Sequence, residues 1–254
     1  MIKVNHVYKS FGDNHVLNDI TAQFQKGITN LVIGQSGSGK SVFLKCLIGL
    51  FEPDSGEVYY DDYQYGKLSP KQKRELRKQM GMVFQGGALF DSMTVQENTM
   101  FPLRMLNPMS QQEMLKRVDE VLERVNLEGV NQKMPADLSG GMKKRVSIAR
   151  GIVNYPKYLF CDEPNSGLDP RTSSVIDELI QEITKENNIT TIINTHDMNS
   201  VFEIGENIIF LKDGILEWKG DRKTIHKCDN ENLNNFVYSS NLFKQARKAN
   251  LKGL

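Results

Sequence analysis

What this chain has little of narrows its class first. Charge is balanced: 32 lysines and arginines against 31 aspartates and glutamates leave a formal net charge of +1. No global field draws the protein to nucleic acid or to an anionic membrane. Long apolar runs are missing. Mean hydropathy is −0.43, and nothing approaches the roughly 20 apolar residues a bilayer span requires. Met1-Ile2-Lys3-Val4-Asn5 alternates like a strand and lacks the apolar centre of a secretory leader. A soluble chain is expected, one that reaches a membrane only through partners. Cysteine is scarce: Cys46, Cys161 and Cys228 are widely spaced, with no Cys-x-x-Cys pair. That pattern supports neither a disulfide framework nor a zinc site and fits reduced thiols in the cytosol. Internal repeats are absent.

What is there fills one large domain, or one domain with a sizeable insertion, in 254 residues. Ile2 to Tyr8 and Val16 to Phe24 read as strands around a Gly12-Asp13-Asn14 turn. Thr29 to Ile33 is a short apolar strand, and Ser41 to Leu50 a helix with Val42, Phe43, Leu44, Leu47 and Ile48 on its apolar face. Pro53-Asp54-Ser55-Gly56 breaks it, and Val58-Tyr59-Tyr60 is β again. Ser69-Pro70-Lys71-Gln72 and Ser110-Gln111-Gln112-Glu113 are capping boxes that open helices. Gly81 to Gln85 is a strand, and residues 92–155 turn helical, an insertion in an α/β core. Tyr158 to Cys161 and Ile189 to Ile193 read as buried parallel strands. Between them, Asp169-Pro170 starts a helix striped by Val175, Ile176, Leu179, Ile180 and Ile183. Asp213-Gly214 marks a hairpin between Ile208 to Lys212 and Ile215 to Trp218. From Asp221 the chain is polar and Asn-rich.

Gly34-Gln35-Ser36-Gly37-Ser38-Gly39-Lys40-Ser41 matches the phosphate loop Gly-x-x-x-x-Gly-Lys-Ser, between a strand and a helix as that loop requires. Its glycines let backbone N–H groups converge on phosphate, Lys40 neutralises the β and γ oxygens, and Ser41 offers Mg²⁺ a hydroxyl. The helix aims its positive end at the same anion. Asp162 ends an apolar strand and suits the Mg²⁺ shell, with Glu163 placed as general base. His196 follows the next strand, at the carboxyl end where ligands gather, and is expected on the γ-phosphate.

With Leu138-Ser139-Gly140-Gly141-Met142 added, the set resembles the ATPase subunit of ATP-binding cassette (ABC) transporters, over roughly residues 1–225. The resemblance implies an α/β P-loop NTPase of ABC ATPase type. A RecA-like parallel sheet core carries an N-terminal antiparallel β subdomain and a helical subdomain at about 92–155, and residues 226–254 form a C-terminal extension. It makes Leu138 to Met142 the signature loop and Gln85 the Q-loop glutamine, a further Mg²⁺ and catalytic group. Ser166-Gly167-Leu168-Asp169 becomes the D-loop, His196 the switch histidine, and Phe11 an aromatic that stacks on adenine. It implies ATP and Mg²⁺ as ligands and two copies facing head to tail. Each ATP then lies between one copy's P-loop and the other's Ser139, Gly140 and Gly141, with Asp169 beside it. Lys143 departs from the glutamine the family often carries there. Lys143-Lys144-Arg145 reads as a solvated helix face, not a nucleic-acid patch.

Gly86 to Val95 and Met100 to Met105 are more apolar than a surface loop needs. They pack within the insertion or form a groove for a helix of a membrane permease subunit. Phe84 to Phe90, Phe101-Pro102-Leu103-Arg104 and Met142 are most similar to the Mla-type branch, which powers lipid traffic with permease, lipid-binding and small regulatory partners. That branch implies a peripheral subunit on the cytoplasmic face of the inner membrane. Amino-acid-type importers share most of these motifs, and a regulatory cell-division-type cassette would keep the same ATP site. DNA-repair and translation relatives carry two cassettes or long insertions absent here. Phe243, Ala246 and Leu251 with Lys244, Arg247, Lys248 and Lys252 make a basic amphipathic end, a docking element or a frayed terminus.

Overall fold

The computed structural model describes residues 1–106 and 109–238. In chain order, β1 (Ile2–Phe11) and β2 (Asn14–Phe24) form a hairpin, and β3 (Thr29–Ile33) leads to α1 (Lys40–Leu47). β4 (Ser55–Tyr60), β5 (Tyr63–Gln64), α2 (Pro70–Arg77) and β6 (Met80–Val83) follow. Then come α3 (Val95–Leu106), α4 (Gln111–Arg124), α5 (Gly140–Ile152), β7 (Tyr158–Asp162) and α6 (Pro170–Glu186). β8 (Thr190–Thr195), α7 (Met198–Ile204), β9 (Asn207–Lys212), β10 (Ile215–Gly220) and α8 (Glu231–Val237) close the described chain. Two compact units result. One holds Met1–Gln25, Asn30–Gln64 and the described chain from Asn194 to Tyr238; the other holds Lys26–Thr29 and Tyr65–Ile193.

In the first unit an antiparallel sheet runs β2-β1-β4-β5. Ile2, Val4 and Val7 of β1 and Leu17, Ile20 and Phe24 of β2 are buried. The spacing slips from two to three between Val4 and Val7 because the pairing is bulged there, with His6 at φ 50°. β3 runs parallel to β9, from Asn30 opposite Asn207 to Ile33 opposite Phe210, and β10 returns antiparallel through Asp213 and Gly214 at φ 48° and 75°. Those paired positive angles are the hairpin turn the dipeptide announces. α1 ends at Leu47, short of the expected Leu50. Gly49 turns left-handed at φ 72°, and the N–H groups of Leu50 and Phe51 fold back onto the Lys45 carbonyl.

The polar segment after Asp221 is packed as far as it is described. Ile225, Leu233 and Val237 are fully buried, and Phe236 stacks on Phe210 with centroids 5.4 Å apart. Lys212 Nζ donates to Asn232 Oδ1 at 2.6 Å. The basic end from Phe243 to Lys252 lies outside the described residues.

In the second unit β6 pairs parallel with β7, Met80 opposite Tyr158 through Val83 opposite Cys161, and β8 lies on the far side of β7. A Cβ on Gly81 would stand 2.0 Å from the Gly151 carbonyl oxygen, so β6 and α5 touch backbone to backbone. Both expected capping boxes form, Ser69 with Gln72 and Ser110 with Glu113. On α6, Ile176, Leu179, Ile180 and Ile183 are buried, but Val175 is 37% exposed. At 100° per residue it falls at the stripe's edge. No described helix is long and apolar enough to cross a membrane.

Candidate functional site

The first unit presents the phosphate loop. Gly34 leaves β3 with no room for a side chain: a Cβ would lie 2.2 Å from the Leu211 carbonyl oxygen and 2.6 Å from Ser38 Oγ. Gly39, at φ 98°, occupies the N-cap of α1 and contributes no side-chain acceptor. Among the described α-helices it is the one without a side-chain cap. Ser69, Thr94, Ser110, Ser139, Asp169, Asp197 and Asn230 cap the others. The α1 terminus therefore keeps its positive end for an external anion. Ser38 Oγ is buried and has no hydrogen-bond partner among the described residues. Lys40, also buried, folds its ammonium over the loop and donates to the carbonyls of Gly34 at 2.7 Å and Gln35 at 2.9 Å. Gln35, Ser36, Gly37 and Ser41 are exposed. Glycines, a lysine, an uncapped helix and an orphan hydroxyl fit a polyphosphate.

Two further expected residues belong to the same unit. Phe11 is half exposed, edge-on to Phe51 at 5.2 Å, with Lys9 Nζ 5.4 Å from its ring centre. His196 is exposed immediately after β8. Its neighbour Asp197 caps α7 by accepting from Asn199 N at 2.9 Å, which fixes the strand-to-helix turn.

The second unit gathers Ser139, Gly140, Gly141, Asp162, Glu163 and Asp169. Asp162 closes β7 and is buried. Glu163 follows at φ 50°, a left-handed conformation that costs a residue with a Cβ about 1–2 kcal/mol. The Asp162 carboxylate is a hard oxygen donor, the chemistry Mg²⁺ takes. Ser139 caps α5, its Oγ accepting from Met142 N at 3.3 Å. A Cβ on Gly140 would meet Leu168 at 3.5 Å and one on Gly141 would meet Thr172 at 3.0 Å, so this loop rests on the 166–172 segment. Asp169 caps α6: it accepts from Thr172 N at 3.1 Å and Thr172 Oγ1 at 2.5 Å. The Thr172 hydroxyl is the main cause holding its carboxyl below the usual range. Below, Asn165 Nδ2 donates to the buried carboxylate of Asp177 at 3.0 Å.

One expectation fails here. Lys143-Lys144-Arg145 is not a solvated face, because Lys144 is only 4% exposed. Its Nζ donates to Ser166 Oγ at 3.3 Å and to the Glu163 carbonyl at 3.5 Å. Burial pushes the Lys144 ammonium pKa down, opposed by the Glu163 carboxylate. Helical spacing places Lys144 with Ile148 and Gly151 on the buried face of α5. Arg145 Nη1 donates to the carbonyls of Val125 and Asn126 at 3.4 and 3.5 Å.

Gln85 is exposed in the turn after β6. The segment that follows is pinned by residues the motifs did not reveal. Buried Arg150 donates to the carbonyls of Gly87 at 2.7 Å and Ala88 at 2.8 Å. Buried Asn98 accepts from Phe90 N and donates to the carbonyls of Phe90, Met93 and Thr94. The signal that finds them is a polar residue at an apolar-period position. Pinning splits the apolar stretch. Met100 and Leu103 are core, while Phe84, Phe90 and Met105 are 40%, 42% and 62% exposed.

Comparison with known proteins converges on one family. Residues 17–166 match the model described as ABC transporter. The chain is 38% identical over 93% of its length to the probable ribonucleotide transport ATP-binding protein mkl of Mycobacterium tuberculosis, of which it spans 66%. It is 37% identical over 93% of its length to the methionine import ATP-binding protein MetN of Clostridioides difficile, spanning 74% of that protein. To the chloroplastic protein trigalactosyldiacylglycerol 3 of Arabidopsis thaliana it is 38% identical, covering 87% of this chain and 68% of the relative. The dimeric structure of MJ0796, a bacterial ABC transporter cassette, superposes with a TM-score of 0.80 at 34% identity, covering 87% of this chain and 99% of that one. With the match over residues 17–166, the chain belongs to the ABC transporter family.

Proposed function

We propose that the chain hydrolyses Mg-ATP as one half of a sandwich of two copies and so powers movement of phospholipid or a related lipid. The uncapped N-terminus of α1, with Lys40 and the orphan Ser38 hydroxyl beside it, carries the nucleotide reading. Gly34 to Ser41 hold the phosphates, Phe11 takes the adenine and His196 the γ-phosphate. Ser41, Asp162 and Gln85 would supply oxygen ligands to Mg²⁺, which would offset the negative charge of the polyphosphate. Glu163 is the general base. Ser139, Gly140, Gly141 and Asp169 serve the nucleotide of the second copy. There the N-terminus of α5 contributes about 0.3–2 kcal/mol, and each charge-assisted hydrogen bond about 1.5–3 kcal/mol. Several such contacts made only in the closed pair suffice to close it, and loss of the γ-phosphate reopens it.

Glu163→Gln tests this. It should bind Mg-ATP, lose turnover and accumulate as a dimer in size-exclusion chromatography with light scattering. A monomer at saturating Mg-ATP refutes the sandwich.

The exposed Phe84, Phe90 and Met105 supply the apolar surface for a permease helix. That seats a peripheral subunit at the cytoplasmic face of the membrane, with lipid-binding and small regulatory subunits joining the permease. Residues 1–225 form the cassette, 92–155 its helical part, and the chain beyond is an extension. The lipid reading is supported by the segments around Phe84, Phe101 and Met142 and by a relative named for a galactolipid. The MetN relative favours a second reading, an amino-acid importer. ATPase activity of the complex purified with its membrane subunit separates them. Stimulation by phospholipid vesicles supports the first reading; stimulation by methionine and not by lipid supports the second.

A further inference from the structure

We propose that Lys144 is a positioning residue for hydrolysis. Its ammonium ties α5, the helix that begins at the Ser139 loop, to the backbone that carries Glu163. The inference rests on reading Glu163 as the general base. Three observations lead to it.

The first is strain with a brace. Glu163 sits at φ 50°, and such a conformation persists only where its surroundings hold it. Its carbonyl oxygen accepts from Ser166 N at 3.2 Å and from Lys144 Nζ at 3.5 Å. Glu163 and Ser166 are thus drawn together from both sides, since Nζ also donates to Ser166 Oγ at 3.3 Å.

The second is the burial of the lysine itself. With the residue only 4% exposed, its ammonium gives up hydration that an apolar side chain of equal length would never have needed. Packing alone is served as well by methionine. What lysine adds is a set of donors directed at the loop.

The third is placement. Lys144 lies five residues after Ser139 on one continuous helix. The loop it grips runs from Glu163 to Asp169, and Asp169 fixes the start of α6. Lys144 therefore sets the Glu163 side chain relative to the helix that presents Ser139. It touches no reacting atom, so its effect belongs in turnover and not in nucleotide affinity.

The test is steady-state Mg-ATP hydrolysis by the full chain. Lys144→Met should lower kcat about tenfold and leave KM within about twofold, because long hydrogen bonds from a charged donor sit at the lower end of their usual worth. Lys144→Arg should recover most of the loss. Ser166→Ala should lower kcat by less, and the double variant should be no slower than Lys144→Met alone, since both remove one bridge. A wild-type kcat in Lys144→Met overturns the inference, as does a loss that multiplies with that of Ser166→Ala. Should Lys144→Met fail to fold, Lys144→Gln and Ser166→Ala carry the test, and wild-type kcat in both overturns it. Glu163→Gln separates the two readings. Normal turnover there removes the general base and this inference with it. An inactive Glu163→Gln beside a fully active Lys144→Met removes the inference alone.

Discussion

Arg150→Met tests how the apolar surface after Gln85 is held. Arg150 is 8% exposed, and its guanidinium donates at 2.7 and 2.8 Å to the Gly87 and Ala88 carbonyls. Two charge-assisted bonds are worth about 3–6 kcal/mol between them. Methionine keeps the stem packed and removes the desolvation cost that pushes the arginine pKa down. That offsets part of the loss and leaves about 3 kcal/mol of net destabilisation. For a chain of this size each kcal/mol shifts Tm by about 2–4 °C, so Tm should fall by about 9 °C. Circular dichroism on heating measures it. Chymotrypsin provides a second reading, because Phe84 and Phe90 flank the released carbonyls and are already half exposed. Their peptide bonds should be cut severalfold faster in the variant. A Tm within about 2 °C of wild type, with unchanged cleavage, would refute the view that Arg150 pins this segment.

Gly34→Ala should abolish nucleotide binding by calorimetry with the secondary structure intact, because its Cβ would lie 2.2 Å from the Leu211 carbonyl oxygen; binding at wild-type affinity refutes the loop geometry. Native chains should take up one iodoacetamide and denatured chains three. Burial pushes the thiols of Cys161 far up and Cys46 up to about 11, while Cys228 is half-buried. Rapid native labelling of all three, read by mass spectrometry, contradicts that packing. Asp169→Asn keeps a cap for α6 but loses an acceptor whose pKa is lowered in the folded chain. The aspartate's stabilising contribution is present above its unfolded pKa and disappears as pH falls through the folded one. Wild type and variant should therefore differ in Tm at pH 7 and converge towards pH 3; a constant difference speaks against the bond to Thr172.

Most elements were legible because local rules set them. Ser69-Pro70 and Ser110 announce capped helices, Asp213-Gly214 a hairpin, and apolar runs the buried strands. The misses have local causes of another kind. α1 ends at Leu47, where left-handed Gly49 outweighs the helix-compatible Ile48 and Leu50. Val175 sits at the rim of a stripe that a list of apolar positions does not resolve. The asparagine-rich segment up to Tyr238 reads as tail because its apolar residues are few, and Leu233, Phe236 and Val237 mark only a single helical turn.

The amino-acid sequence by itself determined the chemistry: a phosphate loop with its lysine, a strand ending in Asp162-Glu163, a capped Ser139 helix, and hence the family. Those motifs are contiguous, and their spacing is their meaning. Only the tertiary structure decided which charges work inside. Lys144 and Arg150 stand in the sequence as ordinary basic residues of a surface-like helix. They become a brace on Glu163 and a clasp on Gly87 because other segments close over α5. Burial is set by what packs on a helix, and no spacing within the helix encodes its neighbours.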